Sequence, residues 1–331
     1  MKDKVCIIGV YMGKFPDYIN LWLLSVKNNP TIDFLVVTDS AFEGELPPNL
    51  KILSFDLAQF KSLAAKKMDM HIRCETPYKI CDYKPLYGLI FEDYIKEYDY
   101  WGECDFDVIF GDLRCFFDKY ELNKYDKFMN RGHLTLYKND KKVIERFRLK
   151  GGAFGSYKEI FRSDMVWGLD EMFGINRIYK KYGFPCFDDF IIADIDMRYR
   201  DLRLVHRQET HLQNYEKQVF YWSHGKIFRD FINEKGLIET QEFAYIHLAK
   251  RKYNKPTISD TVSKFYITPK GFISAEEIKN DTSAFDLNEK DNTNTVLRKH
   301  KTSKFDKKMK FFWIGRRYLN LKYKLQNRHK K

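Results

Sequence analysis

The first hundred residues alternate short, wholly apolar runs with stretches of helical spacing, and that alternation leaves few folds open. Val5–Tyr11 is an apolar run that ends at Gly13 and reads as a buried strand. After Pro16, the segment Asp17–Asn28 carries Ile19, Trp22, Leu23 and Val26 at helical intervals, and Asn28-Asn29-Pro30 stops it. Ile32–Thr38, closed by Asp39, and Lys51–Phe55, after a Leu-Pro-Pro-Asn turn, read as further strands, and Leu57–Met70 as a helix. Strand, helix, strand, strand, helix predicts an α/β fold with a mixed, mainly parallel sheet flanked by helices. A chain of 331 residues with 44% apolar content, 22 Tyr and 28 Phe can bury one large core of this kind, or two small ones.

Further along, Pro85–Tyr98 places Leu86, Leu89, Ile90 and Tyr94 on one face and predicts a second long helix. Asp99–Cys104 reads as a buried strand that runs straight into Asp105-Phe106-Asp107. His133–Tyr137 alternates like a strand, Gly151-Gly152 marks a loop, and Asp189–Met197 fits either helix or strand. Phe243–Leu248 reads as a late strand delivering His247, and residues 281–301 are polar enough to serve as a linker. These features divide the chain into a domain over 1–255, a polar extension over 256–297 and a basic tail over 298–331.

Charge follows the same division. Between Arg298 and Lys331 there are 14 Lys and Arg against one acid, Asp306, leaving 44 basic against 45 acidic residues in 1–297. The positive charge belongs to the tail, which argues against nucleic-acid binding by the main domain. None of the six cysteines forms a C-x-x-C pair, so a structural zinc site is not expected. Scattered thiols, and an opening segment without a signal-peptide apolar region, suggest a reducing cytoplasm.

Ligands of open α/β sheets bind outside the carboxyl ends of the strands, where Asp105 and Asp107 are expected. In extended chain, residues i and i+2 point the same way, so both carboxylates converge. Hard oxygen donors meeting in this manner suit Mn2+ or Mg2+ together with phosphate oxygens. The same sequence also arises as a turn ending a strand.

Val5–Asp39, Lys79–Leu113, His133–Asn139 and Phe243–Arg251 together resemble a GT-A-type glycosyltransferase. The match is best over Lys79–Gly88 and Tyr100–Asp112, and is similar to a group encoded in bacterial capsule and exopolysaccharide gene clusters. The resemblance implies a Rossmann-like GT-A fold and a metal-dependent hexosyl transfer from a nucleotide sugar, UDP-linked, to a glycan or lipid-linked glycan acceptor. It places Val10, Tyr11, Thr38 and Asp39 around the nucleotide, although Thr38 and Asp39 equally suit a turn or cap. It makes Asp105, Asp107 and His247 the metal ligands, where a lone His can also be structural. Lys250 and Arg251 become partners of the diphosphate, and Lys84, otherwise a solvated lysine, a donor contact. Asp170 and Glu171 take the acceptor-facing base position, with Asp188-Asp189 as a competing pair, and His133 lines the acceptor cleft. Either acidic pair equally suits a helix N-terminus.

In the tail, Phe311, Ile314, Tyr318, Leu321 and Leu325 fall on one helical stripe among Lys and Arg. That composition suits an anionic bilayer and predicts residence at the inner face of the cell membrane; a packed helix, an unstructured tail or an RNA contact are the alternatives. Two other functions fit the residues: a phosphohydrolase or nucleotidyltransferase using the same carboxylates, and a non-catalytic scaffold working through its tail.

Overall fold

Along β1 (Val5–Tyr11), Cys6 and Ile8 enter one apolar cluster while Val5 and Ile7 enter another. β2 (Asp33–Thr38) divides likewise, Leu35 and Val37 against Phe34 and Val36. A period of two with both faces apolar is what a strand covered on both sides requires. This computed structural model describes residues 2–152, 155–205, 212–278 and 283–288. The remaining strands are, in chain order, β3 (Leu50–Ser54), β4 (Tyr100–Cys104), β5 (Val108–Phe110), β6 (Lys127–Arg131), β7 (Leu134–Lys138), β8 (Cys186–Phe187) and β9 (Ala193–Asp194). They continue with β10 (Gln218–Ser223), β11 (Lys226–Ile232), β12 (Ile238–Phe243), β13 (Tyr245–His247), β14 (Lys264–Thr268) and β15 (Gly271–Ser274).

Seven strands form a central sheet in the order β3-β2-β1-β4-β7-β6-β8. The first four run parallel, β7 joins β4 and β6 joins β7 antiparallel, and β8 lies parallel to β6. The α/β class and the mixed, mainly parallel sheet are therefore as expected. An antiparallel sheet of five strands follows, in the order β12-β11-β10-β14-β15, and a small sheet β5-β13-β9 stands beside the two.

Helix α1 (Ile19–Lys27) lies between the sheets, which explains why it is buried on nearly every side. Trp22 and Val26 pack with the central sheet, and Leu21 and Leu24 with Phe220, Trp222 and Phe265 of the second. Helix α2 (Leu57–Met68) covers the other face through Phe60, Ala64 and Met68, and its start is secured by an Asp56–Gln59 capping box.

Three expectations need correction. Pro85–Tyr98 is not one long helix but a 3₁₀ stretch Pro77–Leu86, a single α turn Tyr87–Ile90 and a 3₁₀ turn Glu92–Tyr94. The apolar spacing is real, but the backbone leaves helical dihedrals at Phe91 (φ −107°, ψ 22°) and again at Ile95 (φ −120°, ψ 14°), so the pattern is carried by separate turns and not by one hydrogen-bond ladder. The extension over 256–297 is not a linker throughout. The hairpin β14–β15 pairs into the second sheet, and Ala284 and Phe285 of the turn Ser283–Asn288 pack against Val219 and Tyr221 of β10. A boundary at 255 thus cuts a packed unit, because Phe265 and Ile267 supply apolar area that the polar stretch around them conceals in a composition count. Asp189–Met197 resolves as extended chain carrying the short β9. The tail stripe lies outside the described residues. Among the described residues, no helix is long and apolar enough to cross a membrane.

Candidate functional site

Past the end of β4, Phe106 turns into the core, 3% exposed, against Trp22, Tyr11 and Phe15. Its neighbours Asp105 and Asp107 consequently face the opposite way, into a cleft of about 1080 Å³. The walls of this cleft come from Val10–Tyr18 after β1, from Tyr78, Cys81 and Lys84, from Gly168–Phe173, and from His247–Tyr253 after β13.

Strand pairing brings His247 to the carboxylates. Antiparallel pairing of β13 with β5 sets His247 opposite Val108, next to Asp107. Nε2 of His247 lies 3.5 Å from Asp107 Oδ1, and the backbone N–H of Lys250 donates to Asp107 Oδ2 at 3.0 Å. Ala249 and Lys250 both adopt left-handed φ values, 49° and 63°, an unusual conformation for side-chain-bearing residues and one that recurs at functional sites. Ligand atoms of Asp105, Asp107 and His247 lie within 4.8 Å of one another, and the three residues are neither fully buried nor fully exposed. Two carboxylates and an imidazole at that spacing fit a divalent cation.

The electrostatics agree with a paired cluster. Burial opposes the charged form of both partners. Even so, His247 and the Lys250 N–H hold Asp107 down at about 2, and Asp107 with Asp194 pushes His247 up to about 10. Behind the cleft floor, Lys84 is buried rather than solvated. Its Nζ donates to Asp105 Oδ1 at 2.5 Å and to the Gly132 carbonyl, with Asp170 at 3.6 Å and Glu103 at 3.7 Å. Burial works against the Lys84 charge, but Asp105, Glu103 and Asp170 keep its pKa well above the ordinary value. Burial also pushes Glu103 up to about 8 and Asp170 well above the carboxylate range.

Other expected residues are placed differently. Lys84 does not offer a helix N-terminus to a phosphate; it is a counterion among acids. Asp170 and Glu171 both reach the cleft, yet Asp170 is 5% exposed and turned to Lys84 while Glu171 faces solvent. Asp188 and Asp189 are exposed and do not line the cleft. Thr38 and Asp39 line a separate hollow of about 420 Å³, where Asp39 Oδ1 accepts from the Gly13 N–H at 2.7 Å and ties two loops together. The turn reading suits them better than a ligand contact. Arg251 commits its guanidinium to the carbonyls of Tyr199 and Arg200 at 2.8 and 2.9 Å, away from a diphosphate role. Lys250 stays at the cleft mouth, with Nζ 3.3 Å from the Tyr78 hydroxyl. Val10 and Tyr11 line the cleft, and His133 stacks on His247 at 4.0 Å.

Sequence reasoning missed Asp194, Tyr245 and Glu103. Asp194 alone left a trace, as an acid within the apolar run Ile191–Ile195.

Residues 7–276 match the model of a family of unknown function, DUF6625. The chain belongs to that family. No curated protein matches the sequence. Among solved structures, the galactosyltransferase LgtC in complex with donor and acceptor sugar analogs is 12% identical with a TM-score of 0.35, covering 57% of this chain and 75% of that one. Mouse xyloside xylosyltransferase 1, in its apo form, is 8% identical with a TM-score of 0.34, covering 58% and 88%. Overlaps this loose transfer neither fold nor activity to the DUF6625 chain.

Proposed function

We propose that this protein is a GT-A-type, metal-dependent glycosyltransferase that moves a sugar from a nucleotide-sugar donor, a UDP-sugar first among them, to a glycan or lipid-linked acceptor. The observation that carries the reading is the convergence of Asp105, Asp107 and His247 at one point of a large cleft, past the carboxyl end of a central parallel strand. These residues would hold Mn2+ or Mg2+, whose charge would offset that of a departing nucleoside diphosphate. Lys250, exposed at the mouth, would receive phosphate oxygens, and Val10 and Tyr11, which line the cleft, would wall the nucleotide. Lys84 holds Asp105 by Oδ1, and the other oxygen would serve the cation. Of the acidic pair, Asp170 serves Lys84, while Glu171 is the carboxylate left to face an acceptor hydroxyl. The basic tail would bring the enzyme to an anionic membrane surface carrying a lipid-linked acceptor, on the cytoplasmic side.

The reading is tested by thermal shift with a panel of nucleotide sugars, with and without Mn2+. A cognate donor raises the melting temperature only when the cation is present. Turnover on that donor then yields free sugar or a glycoside with the nucleoside diphosphate; release of inorganic phosphate or transfer of a nucleotidyl group would point to the other phosphoryl chemistries. Loss of an outer partner of a metal ligand costs about 10- to 100-fold, so Asp107→Ala, which removes a ligand, is expected to lower turnover by ~100-fold or more.

A further inference from the structure

His247 stands between two carboxylates. Its Nε2 faces Asp107 Oδ1 at 3.5 Å, and its Nδ1 lies 2.8 Å from Asp194 Oδ1. The parallel pairing of β9 with β13 sets Asp194 directly opposite His247. The ring plane is held by His133, stacked at 4.0 Å and 16°, whose own Nδ1 lies 2.7 Å from the Tyr245 hydroxyl. His133, Asp194 and His247 also bring ligand atoms within 4.8 Å of one another, so the cluster could be taken for a second cation site.

The chemistry of imidazole decides between the two roles. A neutral ring has one lone pair and one N–H. When Nε2 gives its lone pair to a cation held with Asp105 and Asp107, Nδ1 retains the proton, and the nearest acceptor is Asp194. A second cation on Nδ1 would require the doubly deprotonated imidazolate. We propose that Asp194 is the positioning residue of the cation site: it accepts the Nδ1–H of His247, fixes that tautomer and aims the Nε2 lone pair at Asp105 and Asp107, while His133 fixes the ring plane. Such outer carboxylates orient a ligating imidazole and raise its basicity. This role rests on the cation reading given above.

The test uses the full chain and Mn2+ alone, counting free Mn2+ by its paramagnetic resonance signal. Wild type is expected to take up one equivalent, and Asp107→Ala, which removes a ligand, to lose it. Asp194→Ala should weaken uptake by about 10- to 100-fold at unchanged stoichiometry, and Asp194→Asn, which retains an acceptor oxygen, should recover most of the loss. In parallel, 15N histidine spectra of Mg2+-loaded wild type should show His247 protonated at Nδ1, a signature that needs no variant to fold. If wild type takes up no Mn2+, the cation reading itself fails. If Asp107→Ala loses the ion while Asp194→Ala binds like wild type, or if the loaded ring is protonated at Nε2, only the role of Asp194 is overturned. Two equivalents in wild type falling to one in Asp194→Ala would make Asp194 a ligand and equally overturn it.

Discussion

Lys84 is 4% exposed and meets Asp105, Asp170 and Glu103 within 3.7 Å, so its charge is the keystone of an otherwise acidic floor. Removing one partner of a buried ion pair strands the other. Lys84→Met should therefore lose about 3–5 kcal/mol of stability, read from denaturant midpoints against wild type. His247 supplies a second prediction, in its pH dependence. Its pKa in the metal-free protein is raised from 6.5 to about 10, so at neutral pH both ring nitrogens are protonated. Stability from its pairing with Asp107 and Asp194 is then fully present below about pH 6.5 and is lost as pH rises toward about 10. A cation must expel the Nε2 proton to bind. Mn2+ uptake near pH 7 should release one proton and tighten about tenfold per pH unit, which calorimetry in buffers of different ionisation heat would count.

Gly9 of β1 lies against the ring of Phe106, just past the end of β4, and cannot be replaced without consequence: a Cβ there would lie 2.6 Å from that ring. Phe106 is the residue between the two aspartates, and its ring anchors their direction. Gly9→Ala should cost about 1–3 kcal/mol and also weaken Mn2+ uptake. Gly88→Ala makes the comparison, since its Cβ would meet Trp101 at 2.4 Å within the cluster on the α2 face. A comparable loss of melting temperature with Mn2+ affinity retained is expected there. Equal loss of affinity in both variants would show that global softening, not the Phe106 anchor, governs the site.

The molecule works as one packed unit across its two larger sheets. Tyr18 lines the cleft and packs on Tyr253 and Phe272 at 5.8 and 5.5 Å, so the hairpin β14–β15 supports the site from the far side of α1. Truncation after residue 255 should expose Phe220, Trp222 and Tyr18 and yield aggregated protein. Truncation after 297 keeps both sheets and should preserve melting temperature and Mn2+ uptake. By contrast, it should abolish co-sedimentation with vesicles containing anionic phospholipid, if the tail stripe is what meets the membrane. Persisting vesicle binding by the truncated protein would remove the tail from that role.

Periodicity and neighbouring residues were enough to read the α/β class, the early strands and the shared direction of Asp105 and Asp107, because those follow from backbone geometry over a few positions. They also misled: the spacing over Pro85–Tyr98 is helical in its apolar pattern but not in its hydrogen bonds, and the polar count over 256–297 hid a buried hairpin. What completes the site was settled by tertiary structure. Asp107 meets His247 and His247 meets Asp194 only because sheet register joins segments 140 and 53 residues apart in the chain, and Lys84 meets Asp170 because a 3₁₀ stretch packs against a turn 86 residues away. The protonation of those groups follows from burial, which no single residue type specifies. Local chemistry is written in the order of residues, whereas a coordination sphere and its charge depend on which distant strands lie side by side.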